Sequence, residues 1–133
     1  MSGTGQLADA LREEGGLLAD ALRRVPTADE PLLASLPDDS YALTLAAVRE
    51  GYLLHYAEGN VVHTPDADLA LLGGDRLYAL GLAELARLGD LGAVAALAEL
   101  ISHCARAHAD DEPAQAAAAW EQAVTEIVRN RTR

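Results

Sequence analysis

Apolar residues recur at spacings of three and four along most of the chain, the period that puts side chains on one face of an α-helix. The motif LADALR occupies residues 7–12 and returns at 18–23, an offset of eleven, so Leu7, Leu11, Leu18, Leu22 and Val25 share a face. Gly15 and Gly16 between the copies predict one kinked helix or two short ones. Residues 1–25 thus read as an N-terminal helical arm, docked on the chain's own core or paired with a partner or a second copy. Pro26, Pro31 and Pro37 then leave room only for a short helical piece across 31–36. A helix capped by Ser40, Asp38 or Asp39 and running to about Glu58 follows, with Tyr41, Leu45, Val48, Tyr52 and Tyr56 on its stripe. Gly59 and Asn60 end it, and VVHT at 61–64 is too short to predict a strand.

Thr64 is placed to cap the next helix, with Pro65 at its first position and Asp66 and Asp68 at the positive end of its dipole. This helix runs to about Leu88. Gly89 stops it and Asp90 caps a partner in a tight turn. The partner carries Leu97, Ile101, Cys104 and His108 on one face and ends near residues 109–113. A last helix from about Pro113 to Asn130 turns Ala116, Trp120, Val124 and Ile127 inward. The expected fold is all-α: a compact bundle of five or six helices in a single domain, 1–133, around a central helix that contains glycines.

That central helix raises a problem of its own. Each interior glycine costs roughly 1 kcal/mol against alanine, yet Gly73 and Gly74 stand in its middle. Leu69, Leu72, Leu77 and Leu80 lie to one side and Leu71, Tyr78, Leu82 and Leu85 to another, a helix apolar nearly all round and therefore expected to be enclosed. Ala70, Gly74 and Gly81 form a strip with little side chain, where a neighbouring helix can approach closely. Asp75 and Arg76 fall on the remaining arc and, if enclosed, require partners.

Composition supports helices: leucine and alanine supply most of the apolar half, phenylalanine is absent and β-branched residues are few. All ten basic residues are arginine, and the net charge is −11. So acidic a chain lacks the basic surface that phosphate binding needs, which argues against nucleic acid as a partner. Arg129, Arg131 and Arg133 make only a short basic tail at 129–133. The one cysteine, Cys104, cannot form an internal disulfide, and neither a leader pattern nor a membrane-length apolar run is present. A cytoplasmic protein without a membrane association is the expectation.

Candidate chemistry is sparse. Tyr52, His55, Tyr56 and His63 form a polar-aromatic group before the glycine helix, able to line a small-molecule pocket with Asp75 and Arg76 or to sit at the edge of the core. Cys104 and His108 stand one turn apart, but no second ligand pair at metal spacing accompanies them. No histidine follows a glutamate by three residues, which disfavours a ferritin-like di-iron site. Gly73-Gly74 lacks the lysine of a phosphate loop, and no serine or cysteine is marked as a nucleophile. No catalytic residue, metal or cofactor is assigned.

The run LLGGDRLYALGLAELARLGD, from Leu71 to Asp90, resembles the glycine-aspartate helix of trans-isoprenyl diphosphate synthases and of the non-catalytic small subunit of two-component heptaprenyl diphosphate synthases. Gly74-Asp75 is the most specific part of a likeness spanning Leu69 to about Leu91. Those enzymes hold magnesium and diphosphate through DDxxD motifs. Here Asp38-Asp39 is followed by Ser40, Tyr41 and Ala42, and Asp110-Asp111 by Glu112, Pro113 and Ala114, so neither motif is complete. The resemblance implies helical packing and a subunit role rather than prenyl transfer. The expected function is association, as a homodimer or accessory subunit, through the Ala70-Gly74-Gly81 strip or through Leu7, Leu11, Leu18 and Leu22. The alternative is a protein that binds an apolar or isoprenoid-like ligand, with Tyr52, His55, Asp75 and Arg76 at the mouth of its pocket.

Overall fold

The computed structural model describes residues 2–26, 29–34, 36 and 41–131, the Arg131 side chain excepted. The protein is all-α: the described residues form α1 (Gly3–Glu14), α2 (Leu17–Asp20), α3 (Pro31–Ala34), α4 (Ala42–Tyr56), α5 (Ala67–Leu88), α6 (Leu91–Ala109) and α7 (Pro113–Arg131). Seven helices replace the expected five or six because α2 and α3 are single turns, each bounded by the glycines and prolines that kept it short. The caps proposed at Asp38, Asp39 and Ser40, and the end of the basic tail, lie outside the described residues. The chain divides into two compact units, residues 1–84 and 85–133.

In the first unit, Leu7, Ala8 and Leu11 of α1 are buried against Ala46, Ala47 and Leu54 of α4, with Val61, Val62 and Leu77 completing the cluster. α1 starts under two caps. Ser2 Oγ accepts from Gly5 N at 3.0 Å, while the Asp29 carboxylate, far along the chain, accepts from Gly3 N and Thr4 N at 3.0 and 2.9 Å. α1 is therefore part of this unit's core. Its stripe stops short: Leu18 and Leu22 pack partly against the core, but Val25 is 78% exposed. The reason is Gly15 and Gly16, whose φ of 76° and 84° with extended ψ are open only to glycine and turn the chain out of helical register.

After α2 the backbone of 21–23 pairs with 61–63 through one antiparallel bridge: Arg23 N donates to Val61 O at 2.8 Å and His63 N to Ala21 O at 2.9 Å. That is all the extended pairing VVHT achieves. α4 ends at Tyr56, ahead of Gly59 and Asn60. α5 begins two residues later than Thr64 and Pro65 suggest, because Asp66 takes the capping role. Its Oδ1 accepts from Asp68 N at 2.9 Å and Leu69 N at 3.3 Å, whereas Thr64 Oγ1 accepts only from Asp66 N, before the helix.

The second unit comprises the last turn of α5 with α6 and α7. Gly89 (φ 80°) ends α5, and Asp90 caps α6 by accepting from Ala93 N at 2.9 Å. Leu97, Leu100, Cys104 and Ala107 of α6 are buried, as are Ala116, Trp120, Ala123, Val124 and Ile127 of α7, the two helices packing against each other. Ile101 and His108 are only half-buried, so the inner stripe of α6 runs through Leu100 and Ala107. No described helix is long and apolar enough to cross a membrane.

Candidate functional site

The glycines of α5 are explained by α4. A Cβ built on Gly74 would lie 2.9 Å from the Gly51 carbonyl oxygen and collide with the His55 ring; one built on Gly51 would lie 2.7 Å from the Gly74 carbonyl oxygen. At Gly81 it would meet Val48 Cγ2 at 2.6 Å and Thr44 O at 2.9 Å. Thr44, Val48, Gly51 and His55 therefore face Gly81 and Gly74 along an antiparallel seam where the two backbones nearly touch. α5 runs unbroken through Gly73-Gly74 because buried contact, rather than local propensity, holds it. Ala70 lies half-buried on the same helix.

At one end of this seam the His55 ring rests on Gly74. Its Nε2 is 3.1 Å from the Leu71 carbonyl oxygen and 3.2 Å from Asp75 Oδ1. Both are acceptors, so Nε2 carries the proton. Tyr78 and Tyr56 meet the imidazole edge-on, at centroid distances of 5.2 and 5.8 Å, and Tyr52 stacks obliquely on Tyr56 at 5.2 Å. Tyr52, His55, Tyr56 and Asp75 thus come together, but as rings filling one another's surface.

Arg76 and His63 do not join them. Arg76 forms an ion pair with Glu14 at the end of α1, and His63 Nδ1 lies 3.9 Å from Glu58. Nor are Asp75 and Arg76 enclosed charges: their side chains are 71% and 52% exposed. The expectation of a helix enclosed on all sides fails for the same reason. Leu71 and Leu72 are 53% and 69% exposed, since α4 covers one face of α5 and the α2 turn, through Leu18 on Gly73, reaches only part of the next.

That incompletely covered face borders an apolar cleft in the first unit. Leu11, Gly15, Gly16, Leu17 and Leu18 form one wall and Leu69, Leu72 and Gly73 the other, around a shallow cleft of 290 Å³ that the paired Glu14 and Arg76 also line. Leu17, at its lip, is 70% exposed. The sequence pattern puts Leu18 on the inner stripe, but Leu17 comes to the surface only through the two positive φ angles before it, which no periodicity reveals.

A polar network was equally hidden. Glu50, 2% exposed, accepts from three backbone amides: Asn60 N on Oε1 at 2.9 Å, and Val61 N and Val62 N on Oε2 at 3.0 and 2.9 Å. Burial pushes its carboxyl above the ordinary range, and the three N–H groups with nearby Arg23 pull it only part of the way back. Beside it, Arg49 holds Glu30 through both oxygens at 3.1 and 2.9 Å, and Asn60 Nδ2 adds a third bond at 3.0 Å. Burial alone would raise Glu30; the Arg49 guanidinium and Asn60 amide bring it below its usual value. The bonds of this network tie loop 59–62 and residue 30 to α4 and to each other, which makes it a brace rather than a reactive centre.

Cys104 is buried on α6, and the described residues contain no group of three or more His, Cys, Asp or Glu side chains arranged to hold a metal ion. Comparison with protein-family models, with curated proteins and with solved structures finds no match.

Proposed function

We propose that this chain is a non-catalytic helical protein that works by association, and that its contact surface is the leucine cleft between the end of α1, the α2 turn and the first half of α5. The observation that carries the reading is the placement of Leu17 and Leu72 on opposite walls, each mostly in water, the first turned outward after Gly15-Gly16 and the second on the helix held by the α4–α5 seam. Exposed apolar surface of this kind is what a partner covers. The likeness of the Gly74-Asp75 helix to a non-catalytic synthase subunit points the same way. The ligand-pocket reading loses Arg76 and His63 to other partners and keeps a tyrosine-histidine cluster whose rings fill the space between them.

The test is a pair of exposed substitutions, Leu17→Ser with Leu72→Ser, which leave the buried core intact. Chemical cross-linking in extracts of the source cells, read beside sedimentation of the purified protein, is expected to show a complex with the wild type that the double variant loses. A complex retained unchanged by the variant, or a wild-type chain that stays alone in both measurements, overturns the proposal.

A further inference from the structure

We infer that the occupant of the leucine cleft is an amphipathic helix with basic flanks, supplied by another protein and not by a second copy of this chain, an inference that rests on the association reading above. Three observations carry it. The cleft is shallow and, at 290 Å³, at the small end of the ~300–1,000 Å³ of enclosed small-molecule sites. Its walls, the α1–α2 corner on one side and α5 on the other, offer mainly aliphatic side chains with the Glu14–Arg76 pair among them, a setting that suits helix-in-groove recognition, where residues at i, i+3, i+4 and i+7 enter a hydrophobic groove.

Charge selects the partner. Glu13 and Glu14 end α1, Asp20 ends α2, and on α5 Asp68 stands one turn before Leu72 and Asp75 one turn after it. All five are exposed; Glu14 and Arg76 offset each other as an ion pair, and Asp75 lies 3.2 Å from His55 Nε2. Residues 1–84 hold fourteen acidic and five basic residues, so nine of the chain's eleven net negative charges belong to the unit that contains the cleft. A second copy would bring an equally acidic unit against this one, and an anionic bilayer would be repelled likewise. Lysines or arginines flanking a leucine stripe find both the apolar groove and the field that steers them to it.

The experiment measures fluorescence anisotropy of three labelled peptides of ~18 residues, about five helical turns: leucine stripe with lysine flanks, the same stripe with glutamate flanks, and the lysine peptide scrambled to destroy the stripe. The full chain is expected to bind the first at least about tenfold more tightly than either other. Added salt should weaken that binding, and Leu17→Ser with Leu72→Ser should remove the preference while circular dichroism stays unchanged. If lysine and glutamate peptides bind alike and the double variant loses both, the cleft is an association site without charge selection; the inference falls and the association reading stands. Binding of the lysine peptide that ignores the leucine substitutions, or no binding, overturns the inference. So does a wild-type dimer that the substitutions dissolve, or leucine-dependent co-sedimentation with phosphatidylcholine or phosphatidylserine vesicles.

Discussion

Glu50 shows how one residue organises a stretch of non-helical backbone. Residues 60–62 have extended or irregular conformation and would bury unsatisfied N–H groups next to Leu54 and Leu77; the Glu50 carboxylate accepts all three. Gly59 is required beside it, since a Cβ there would strike Glu50 Oε2 and the Val62 carbonyl oxygen. Glu50→Gln keeps the shape but turns an amide donor toward an N–H donor, and should cost about 1–3 kcal/mol. The pH dependence follows from the raised carboxyl. A group whose folded pKa lies above its unfolded one contributes stability that is complete below the unfolded value and is lost as pH rises through the folded one. The difference in unfolding free energy between wild type and Glu50→Gln should therefore be larger in acid than at neutral pH. Urea titrations of both proteins across this range check it, and a difference that grows with pH would show that the three amides outweigh desolvation. Glu30 runs the other way: its lowered carboxyl contributes above the unfolded value and loses that contribution as pH falls through the folded one.

Among the elements, glycine has two opposite meanings that substitution separates. Gly74→Ala gains roughly 1 kcal/mol of helix propensity but drives a methyl into the His55 ring and against the Gly51 carbonyl oxygen, which lies 2.9 Å away and cannot yield as a side chain would. Overpacking of about 1–3 kcal/mol, added to the displaced His55 bonds, should win, lowering the melting temperature. Gly92, in the first turn of α6, has only Asp90 Oδ1 near, at 3.6 Å, and Gly92→Ala should stabilise by up to about 1 kcal/mol. Thermal unfolding of the two variants should move in opposite directions; a shared direction would mean that propensity, or the seam, has been misjudged. The long helices were legible in the sequence because leucine spacing, Gly89 and Asp90 act locally. Thr64 misled because Asp66, two residues on, offers the better acceptor for the same N–H groups, a contest decided by geometry. The site was legible only in part. Periodicity placed Gly74 and Gly81 on one strip and grouped His55 with its tyrosines. It had no means to show that Glu50 meets loop amides or that Gly15-Gly16 turns Leu17 outward, since both depend on where non-helical backbone goes.

At the scale of the whole molecule the dominant fact is charge: twenty-one carboxylates against ten guanidiniums. Two opposing effects follow as salt is added. Attractive pairs weaken, but Arg12–Asp9 and Arg76–Glu14 are exposed pairs of the kind worth about 0–1 kcal/mol each. The Arg49–Glu30 pair has side chains only 19% and 31% exposed and is screened less. Repulsion among the surplus carboxylates acts over longer distances and is concentrated in residues 1–84, so it is the part that salt removes most effectively. Screening shortens from a Debye length of about 30 Å at ~0.01 M to about 8 Å at ~0.15 M. Over that interval sodium chloride should raise the melting temperature at neutral pH, before any salting-out effect enters. The same addition should weaken the lysine-flanked peptide in the leucine cleft. Stability and recognition are thus expected to respond to one variable with opposite sign, because the surplus of negative charge that strains the folded chain is also what draws a basic partner to it. A melting temperature that falls with salt would mean the ion pairs, and not the surplus, set the electrostatic balance.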